Sequence, residues 1–303
     1  MARLAFLGTP DMAVRPLRAL HEAGHDIALC VTRPDRRRGR GGAVTPSPVK
    51  EAALELGLPV SHVMDDVAEA GVELAVVVAY GRIIPAVLLE KVPMVNLHFS
   101  LLPRWRGAAP VERALLAGDP ETGVCLMKID EGLDTGPVYA RLIVPIGDDD
   151  DLITLRDHLV DAGCALLVAG LATGVSGLPV PEPQSGEATI AAKLTPADLE
   201  LDWDQGATQL HRVVRLGRAW TTFRGKRLGI LKAMPVAATD GVDDGDGGAD
   251  GVDPPGTLIG TVVRTGDGAL RLDVVQPESR APMAAEDWVR GARLSVGERF
   301  GND

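Results

Sequence analysis

Short hydrophobic runs alternate with amphipathic stretches through the first half of the chain. Strands are predicted over Arg3–Gly8, Ile27–Thr32, Glu73–Tyr80, Met94–Phe99 and Val124–Ile129. The run Glu73–Tyr80 is almost continuously apolar, which is typical of a strand that is buried on both faces of a parallel sheet.

The stretches between these strands predict helices. A first helix is predicted through about Leu20, with Thr9 or Asp11 as its cap. Further helices are predicted over Pro48–Leu56, Pro85–Glu90, Pro110–Ala117 and Asp151–Ala172. The alternation of strand and helix predicts a doubly wound, mostly parallel, Rossmann-like α/β sheet.

The pattern changes after Pro179, where prolines and polar residues predict a linker. Beyond it, short strands are predicted over Arg224–Lys232, Thr257–Val263 and Ala269–Val275, with a terminal helix over Ala284–Arg290. This size and pattern fit a smaller, OB-like β-barrel domain. We therefore expect a catalytic domain at 1–180, a linker at 181–204 and a second domain at 205–303.

Composition narrows the class of protein. Of the 303 residues 46% are hydrophobic, enough for a buried core, yet no apolar run approaches the ~20 residues of a membrane span. Asp11 interrupts the N-terminus too early for a signal peptide, and the three cysteines are scattered. We expect a cytoplasmic monomer with no membrane contact and no metal site.

The net charge of −11 is unevenly distributed. Residues 1–204 hold 18 basic and 29 acidic side chains, whereas residues 205–303 hold 13 of each. Six of the latter acids lie in one Gly-rich stretch, 240–253, which is typical of a solvated loop. The rest of the C-terminal third is therefore basic, and a nucleic-acid partner is not excluded.

Asn96 and His98 are the first candidates for chemistry. Alternate residues of a strand face the same side, and this strand ends where ligands bind in open α/β sheets. An amide can donate to a developing oxyanion and an imidazole can move a proton, which suits acyl transfer. A strand-end histidine that only satisfies its own hydrogen bonds is an alternative that the spacing leaves open.

Asp134 is a third candidate. It lies in the loop Asp130–Gly136, which follows the predicted strand Val124–Ile129 and so can reach the same edge. A carboxylate there would orient His98. An ordinary Asx turn is the alternative.

Several motifs resemble the methionyl-tRNA formyltransferases, a family of formyltetrahydrofolate-dependent transferases. They occur in that family's order, cover nearly the whole chain, and are Leu7–Asp11, Pro46–Lys50, Val78–Gly81, Ser100–Pro110, Gly132–Gly136, Lys193–Trp203 and Pro255–Thr257. The resemblance implies formyl transfer from 10-formyltetrahydrofolate to the α-amino group of methionyl initiator tRNA, in support of translation initiation. Phe99 departs from the commoner pattern, which has Gly there.

The resemblance also implies a role for individual residues. It makes Asn96, His98 and Asp134 catalytic. It places folate against Ser100, Leu101, Leu102 and Pro103, and against Arg82, Ile83 and Ile84.

Two basic segments are candidates for tRNA contact. The Gly-rich stretch after the second predicted strand carries Arg33, Arg36, Arg37, Arg38 and Arg40. Residues 205–239 contain no acid and carry Arg212, Arg215, Arg218, Arg224, Lys226 and Arg227, with aromatic residues interleaved. Basic and aromatic residues in one segment favour RNA backbone contact over a merely solvated face.

Two other functions are consistent with parts of the sequence. A formyltransferase acting on a small amine, such as an amino sugar or a purine precursor, would use the same three residues without the basic segments. A non-catalytic RNA-binding protein would use the basic segments without the three residues.

Overall fold

The computed structural model describes residues 1–37, 44–237 and 253–301. The chain divides into two compact units. The first consists of Met1–Val111, Pro120–Ile146 and Ile153–Lys193, and the second of Glu112–Asp119, Gly147–Leu152 and Leu194–Asp303. The expected linker 181–204 is thus divided at residue 193, and the domain limits drawn from the sequence stay a prediction.

The first eleven strands in the described part of the chain belong to the first unit. They are β1 Arg3–Gly8, β2 Asp26–Val31, β3 Arg36–Arg37, β4 Val44–Thr45, β5 Val60–Ser61, β6 Leu74–Val78, β7 Met94–His98, β8 Arg106–Gly107, β9 Glu121–Lys128, β10 Val138–Pro145 and β11 Ile190–Ala191. The first six helices are α1 Val14–Glu22, α2 Pro48–Glu55, α3 Asp66–Glu69, α4 Ala86–Leu89, α5 Pro110–Ala117 and α6 Leu152–Gly170.

One sheet organises the first unit. Its described strands run in the order β10-β9-β7-β6-β1-β2-β5. The five strands from β7 to β5 are parallel, whereas β9 is antiparallel to β7 and β10 to β9. All five residues of β6 are buried, as expected of a strand covered on both faces. The predicted doubly wound, mostly parallel α/β sheet is confirmed.

The second unit contains an antiparallel sheet. Its strands are β12 Ala219–Phe223, β13 Lys226–Val236, β14 Leu258–Ile259, β15 Val262–Arg264, β16 Ala269–Pro277 and β17 Met283–Ala284, and its helices include α7 Ala207–Val214 and α8 Ala285–Ala292. They pair in the order β12-β13-β16-β15-β14, with β17 on β16. Among the described residues this path is open at β12 and β14, so no closed barrel is seen.

The core of the second unit is built around four aromatic rings. Trp203 stacks on Phe300 with ring centroids 5.2 Å apart, and Phe223 packs edge-on against Trp288 at 5.0 Å. Aromatic pairs of this geometry contribute beyond the area that they bury. The indole N–H of Trp203 donates to the hydroxyl of Thr221 at 2.9 Å, so its one polar group is satisfied.

Candidate active site

Strand β7 carries Asn96 and His98 at its carboxyl end, between β6 and β9. The alternate residue Leu97 faces α6, where a Cβ built on Gly163 would lie 2.7 Å from Leu97 Cδ2. Asn96 and His98 therefore share the opposite face. Asn96 is half-buried and His98 is 5% exposed, so the amide is the more accessible of the two.

The His98 imidazole lies between two hydrogen-bond acceptors. Its Nε2 is 2.9 Å from the carbonyl oxygen of Trp105, and since a carbonyl only accepts, Nε2 carries a proton. Its Nδ1 is 3.6 Å from Asp134 Oδ2, which is longer than a hydrogen bond. A proton that reaches Nδ1 during a reaction therefore meets a carboxylate.

The position of the Asp134 carboxylate depends on the backbone conformation of Asp134 and on a hydrogen bond from Gly107. Its φ of +51° lies in the left-handed region, which Asp tolerates better than most residues. Its Oδ2 accepts a hydrogen bond from the Gly107 N–H at 2.8 Å. The Asp134 side chain is 18% exposed and that of His98 is 6% exposed. Asp134 is thus the member of the pair that an incoming molecule meets first.

The loop after β7 is closed by Ser100. The Ser100 side chain is fully buried, and its hydroxyl donates to the carbonyl of Arg104 at 2.6 Å. This bond turns the chain back, so that Trp105, at φ +61°, presents its carbonyl to His98. Ser100 was predicted to line a folate pocket, and the structure places its side chain inside the loop.

The other residues of the predicted folate loop differ in exposure. Leu102 is 1% exposed and packs with Cys125, Met127 and Val138. Burial raises the pKa of the Cys125 thiol above its usual value. Leu101 and Pro103 are half-buried and so retain accessible surface, whereas Phe99 is 5% exposed. The bulky residue at 99 therefore adds little to the accessible surface of the site.

The second predicted folate segment follows β6. Gly81 has φ +74°, and the turn that it allows leaves Arg82 and Ile83 exposed, Ile83 by 89%. Ile84 is 9% exposed and belongs to the apolar cluster that contains Tyr80. Arg82 and Ile83 are thus exposed residues of this turn, whereas Ile84 is buried beneath it.

A functional contact that the sequence did not indicate comes from residue 184. The amide Nε2 of Gln184 donates to the carbonyls of Asp134 and Gly136, each at 2.8 Å. Its Oε1 accepts from the guanidinium of Arg106 at 2.7 and 3.0 Å. No local pattern predicts this contact, because Gln184 stands 50 residues from Asp134 in a proline-rich stretch.

The first basic segment is only partly described. Arg33 is half-buried and Arg36 is exposed, and both follow β2. The side chain of Arg37 and all of Arg38 and Arg40 lie outside the described residues.

Residues of the Pro46–Lys50 motif contact the start of the first basic segment. Lys50 Nζ pairs with Asp35 Oδ2 at 2.7 Å and lies 3.4 Å from His62 Nε2. Ser47 caps α2 by accepting from the Lys50 N–H at 3.1 Å, and its hydroxyl shares a hydrogen bond of 2.6 Å with Thr32. The motif thus fixes Asp35 within the basic stretch.

Two of the basic residues predicted in the second unit lie on or next to α7. Arg215, directly after the helix, donates to the carbonyls of Asp150 at 2.5 Å and Gly147 at 2.6 Å, and burial lowers its pKa. Arg212 donates to Gln209 Oε1 at 3.1 Å. Both guanidinium groups therefore take part in the packing of the unit itself.

Of the other basic residues predicted to contact tRNA, Arg224, Lys226 and Arg227 lie at the turn between β12 and β13, whereas Arg218 directly precedes β12 at the opposite end of that strand. Arg224 pairs with Glu298, at 2.8 Å between Nη2 and Oε2. Arg218, Lys226 and Arg227 are exposed, and the Arg227 guanidinium lies 4.4 Å from the ring centroid of Trp220. These three cations, together with an indole, form the accessible basic surface here.

The described residues contain neither a cluster of metal ligands nor a membrane-spanning helix. Within 1–37, 44–237 and 253–301, no three His, Cys, Asp or Glu side chains cluster in a way that could hold a metal ion. In the same residues, no helix is both long and apolar enough to cross a bilayer.

Solved structures of similar fold include formyltransferases. An N-formyltransferase from Helicobacter canadensis, solved with folinic acid and dTDP-3-aminofucose, has a TM-score of 0.67 at 16% identity, over 90% of this chain and 99% of that one. The methionyl-tRNA formyltransferase from Clostridium thermocellum has a TM-score of 0.56 at 17% identity, over 81% and 96%. At these identities the likeness is one of fold.

Sequence comparison is more specific. The family described as Formyl transferase matches residues 2–171, and Formyl transferase, C-terminal domain, matches residues 193–293. The methionyl-tRNA formyltransferase of Symbiobacterium thermophilum is 43% identical over 99% of this chain and 95% of that protein. That of Acidiphilium cryptum is 42% identical over 99% and 100%. The chain therefore belongs to the formyl transferase family, within which it groups with the methionyl-tRNA formyltransferases.

Proposed function

We propose that the protein transfers the formyl group of 10-formyltetrahydrofolate to the α-amino group of methionyl initiator tRNA. The observation that carries this function is the placement of Asn96, His98 and Asp134 at one edge of the sheet, in a chain 43% identical to a methionyl-tRNA formyltransferase along its length. The role of each residue below is part of the proposal.

Asn96 is the donor to the formyl oxygen. Attack by an amine places negative charge on that oxygen, and a fixed amide donor of this kind is worth about 10²–10³ in rate. The half-buried position of Asn96 suits the role, because the amide is accessible and yet partly shielded from bulk water.

Asp134 and His98 manage the proton of the amine. A free α-amine has a pKa of about 7.7–8.0, so a useful neutral fraction exists near pH 7 without a strong base. The proton is lost only after attack, when it can pass to the accessible Asp134 carboxylate or to the neighbouring His98 Nδ1, 3.6 Å away. As the bond between the formyl carbon and N10 breaks, His98 relays a proton to the departing N10, and tetrahydrofolate leaves as a neutral amine. The Trp105 carbonyl holds the ring by Nε2 and so directs Nδ1 towards Asp134.

The folate supplies the formyl group from its N10. In this proposal the backbone of the exposed residues Arg82 and Ile83 supplies donors and acceptors to the pterin ring, and the half-buried Leu101 and Pro103 supply apolar contact. In this proposal Ser100, Leu102 and Ile84 support the pocket from inside, because they are buried.

The tRNA is contacted by the exposed cations. Arg36 in the first unit and Arg218, Lys226 and Arg227 in the second are exposed, and Trp220 offers a ring for stacking. Arg33, Arg37, Arg38 and Arg40 complete the first basic segment in this proposal. Arg212, Arg215 and Arg224 contribute mainly by holding the fold, because their guanidinium groups bind carbonyls, a side-chain amide or a carboxylate of the second unit.

Three further assignments belong to the same proposal. The antiparallel strands of the second unit are of the OB-like type, the chain acts as a monomer, and it works in the cytoplasm beside the translation machinery.

A comparison of acceptors tests the function. Purified protein is given 10-formyltetrahydrofolate with methionyl initiator tRNA, free methionine or an amino sugar nucleotide as acceptor. The proposal predicts formylation of the tRNA alone. Formylation of the amino sugar nucleotide without the tRNA would instead establish a small-amine formyltransferase, and binding of tRNA without turnover would establish a non-catalytic RNA-binding protein.

A further inference from the structure

The side chain of Gln184 bridges two loops of the active site. Its Nε2 bonds the backbone of the loop 134–136, and its Oε1 bonds Arg106 in the loop that follows β7. Gly107, the residue after Arg106, donates to the Asp134 carboxylate at 2.8 Å. The two loops are therefore joined twice, once through Gln184 and once through the carboxylate itself.

The chemistry of this bridge requires glutamine. A carboxamide has two N–H donors and an oxygen with two lone pairs. Here both donors meet carbonyls, which only accept, and the oxygen meets a guanidinium, which only donates. A glutamate would place a negative oxygen against two carbonyl oxygens. A methionine would fill the same space and make none of the four bonds.

The loop that receives these bonds has a conformation that needs support. Asp134 has φ +51°, and a Cβ built on Gly136 would lie 1.9 Å from the Lys128 carbonyl oxygen. The chain thus turns tightly against the end of β9 in a sparsely populated backbone region. Such conformations persist where surrounding contacts hold them.

Gln184 itself stands on a fixed segment, residues 182–191, which we call the strap. At one end Glu182 and Val138 exchange two backbone hydrogen bonds of 2.8 and 2.9 Å. At the other end β11 pairs in parallel with β8. Because the backbone anchors the strap on both sides of Gln184, a change of that side chain leaves the strap in place.

We propose that Gln184, held by Arg106, is a positioning residue that sets the Asp134 carboxylate against His98. This inference rests on the proposed formyl transfer. The strap would then contribute to catalysis by positioning Asp134, and not by contact with the substrate. Geometry matters at this scale, since a misplacement of about 1 Å can cost about 10²-fold in rate.

The first test is the variant Gln184→Met, with Ser185→Ala as its matched control, because Ser185 is the exposed neighbour on the strap. We expect Gln184→Met to lower kcat for formyl transfer about 10- to 100-fold, with KM for both substrates nearly unchanged. Ser185→Ala should behave like the wild type. An unchanged kcat in a folded Gln184→Met protein would overturn the inference.

A double-mutant cycle separates positioning from general support of the fold. Single-turnover rates are measured for Gln184→Met in the wild type and in an Asp134→Asn background. If Gln184 acts through Asp134, Gln184→Met should lower the single-turnover rate less than about twofold in the Asp134→Asn background. If the two losses multiply, Gln184 serves the fold in general and the inference is wrong.

A second variant keeps the test decisive if Gln184→Met does not fold. Arg106→Met removes the fork that holds Gln184 Oε1 and leaves the bonds to Asp134 and Gly136 possible. The same non-additivity with Asp134→Asn is then expected at a smaller cost, and multiplicative losses again contradict the inference. A wild-type protein that transfers no formyl group would refute the proposed function, whereas turnover with multiplicative losses refutes only the role of Gln184.

Discussion

Replacing Asp134 by asparagine isolates the charge of the carboxylate that we propose to take part in catalysis. The amide oxygen of asparagine can still accept the hydrogen bond from Gly107, so the loop keeps its closest contact. What is lost is the negative charge 3.6 Å from His98 Nδ1 and the site where a proton from the substrate can settle.

The size of the loss follows from that separation. An imidazolium and a carboxylate 3.6 Å apart attract each other by about 5 kcal/mol at an effective dielectric constant of about 20. That dielectric constant suits this pair, because the two side chains are only 6% and 18% exposed. About 5 kcal/mol corresponds to about 10³- to 10⁴-fold in rate. The asparagine dipole recovers part of this, so we expect kcat to fall about 10²- to 10³-fold.

The assay is steady-state formyl transfer to methionyl initiator tRNA, with tRNA affinity measured separately. We expect kcat to fall and tRNA affinity to stay unchanged. The matched control is Glu131→Gln, which removes a negative charge from an exposed position three residues earlier in the same loop. A fall of less than about tenfold for Asp134→Asn, or an equal fall for Glu131→Gln, would refute the assignment of Asp134 as the proton-handling carboxylate.

Three further predictions concern the fold around Gly107, the basic residues of the second unit and the burial of Cys30. Gly107→Ala should lower the thermal midpoint by an amount equivalent to about 1–3 kcal/mol and slow formyl transfer, since φ is +120° and the new Cβ would lie 2.9 Å from a backbone oxygen of β11; a wild-type midpoint and rate would contradict this. Arg218→Gln should weaken tRNA binding, lower the slope of log affinity against log salt concentration by about one and leave kcat unchanged. Arg215→Gln should chiefly lower the stability of the protein in urea. The reverse pattern would contradict the division between tRNA contacts and fold contacts. Burial raises the pKa of the Cys30 thiol to about 12, so little thiolate is present at pH 8. A thiol reagent should therefore modify the half-buried Cys164 before Cys30. Rapid labelling of Cys30 would show that it is not buried.

Four of the five parallel strands were predictable because local hydrophobic patterns mark them, whereas the two-residue β5 was not predicted. The run Glu73–Tyr80 predicted a doubly buried strand, and β6 (Leu74–Val78) is one. The cap of the first helix was not predictable in the same way. Neither Thr9 nor Asp11 caps it: Ala13 is the N-cap of α1, and no side chain bonds to its first turn. Asp11 belongs to a short 3-10 turn before the helix, and the Thr9 hydroxyl donates to the carbonyl of Tyr80, 71 residues away.

Helix α7 was not predicted, because the segment that contains it was interpreted by its charge. Residues 205–239 were interpreted as a basic surface, and the helix within them was not predicted. Ala207, Leu210 and Val213 recur at intervals of three and are buried, so the helical signal was present. Whether a particular arginine binds RNA or a neighbouring carbonyl depends on tertiary contacts, which a sequence pattern does not contain.

The sequence predicted part of the geometry of the candidate site. The spacing of Asn96 and His98 on one strand placed both on one face, which the structure bears out. The hydrogen bonds of Gln184 join two segments that are distant in sequence. The bond between the Trp105 carbonyl and His98 forms because the buried Ser100 turns the chain back. No periodicity marks such contacts, so they emerge only from the folded chain.

A single-turnover experiment shows whether Asn96 accelerates formyl transfer to methionyl initiator tRNA. Wild-type protein and the Asn96→Ala variant are each mixed with methionyl initiator tRNA and 10-formyltetrahydrofolate that is labelled in its formyl group. We expect label on the methionine α-nitrogen in the wild type and a rate about 10²- to 10³-fold lower in Asn96→Ala. Absence of label with the wild type, or equal rates for the two proteins, would contradict this expectation.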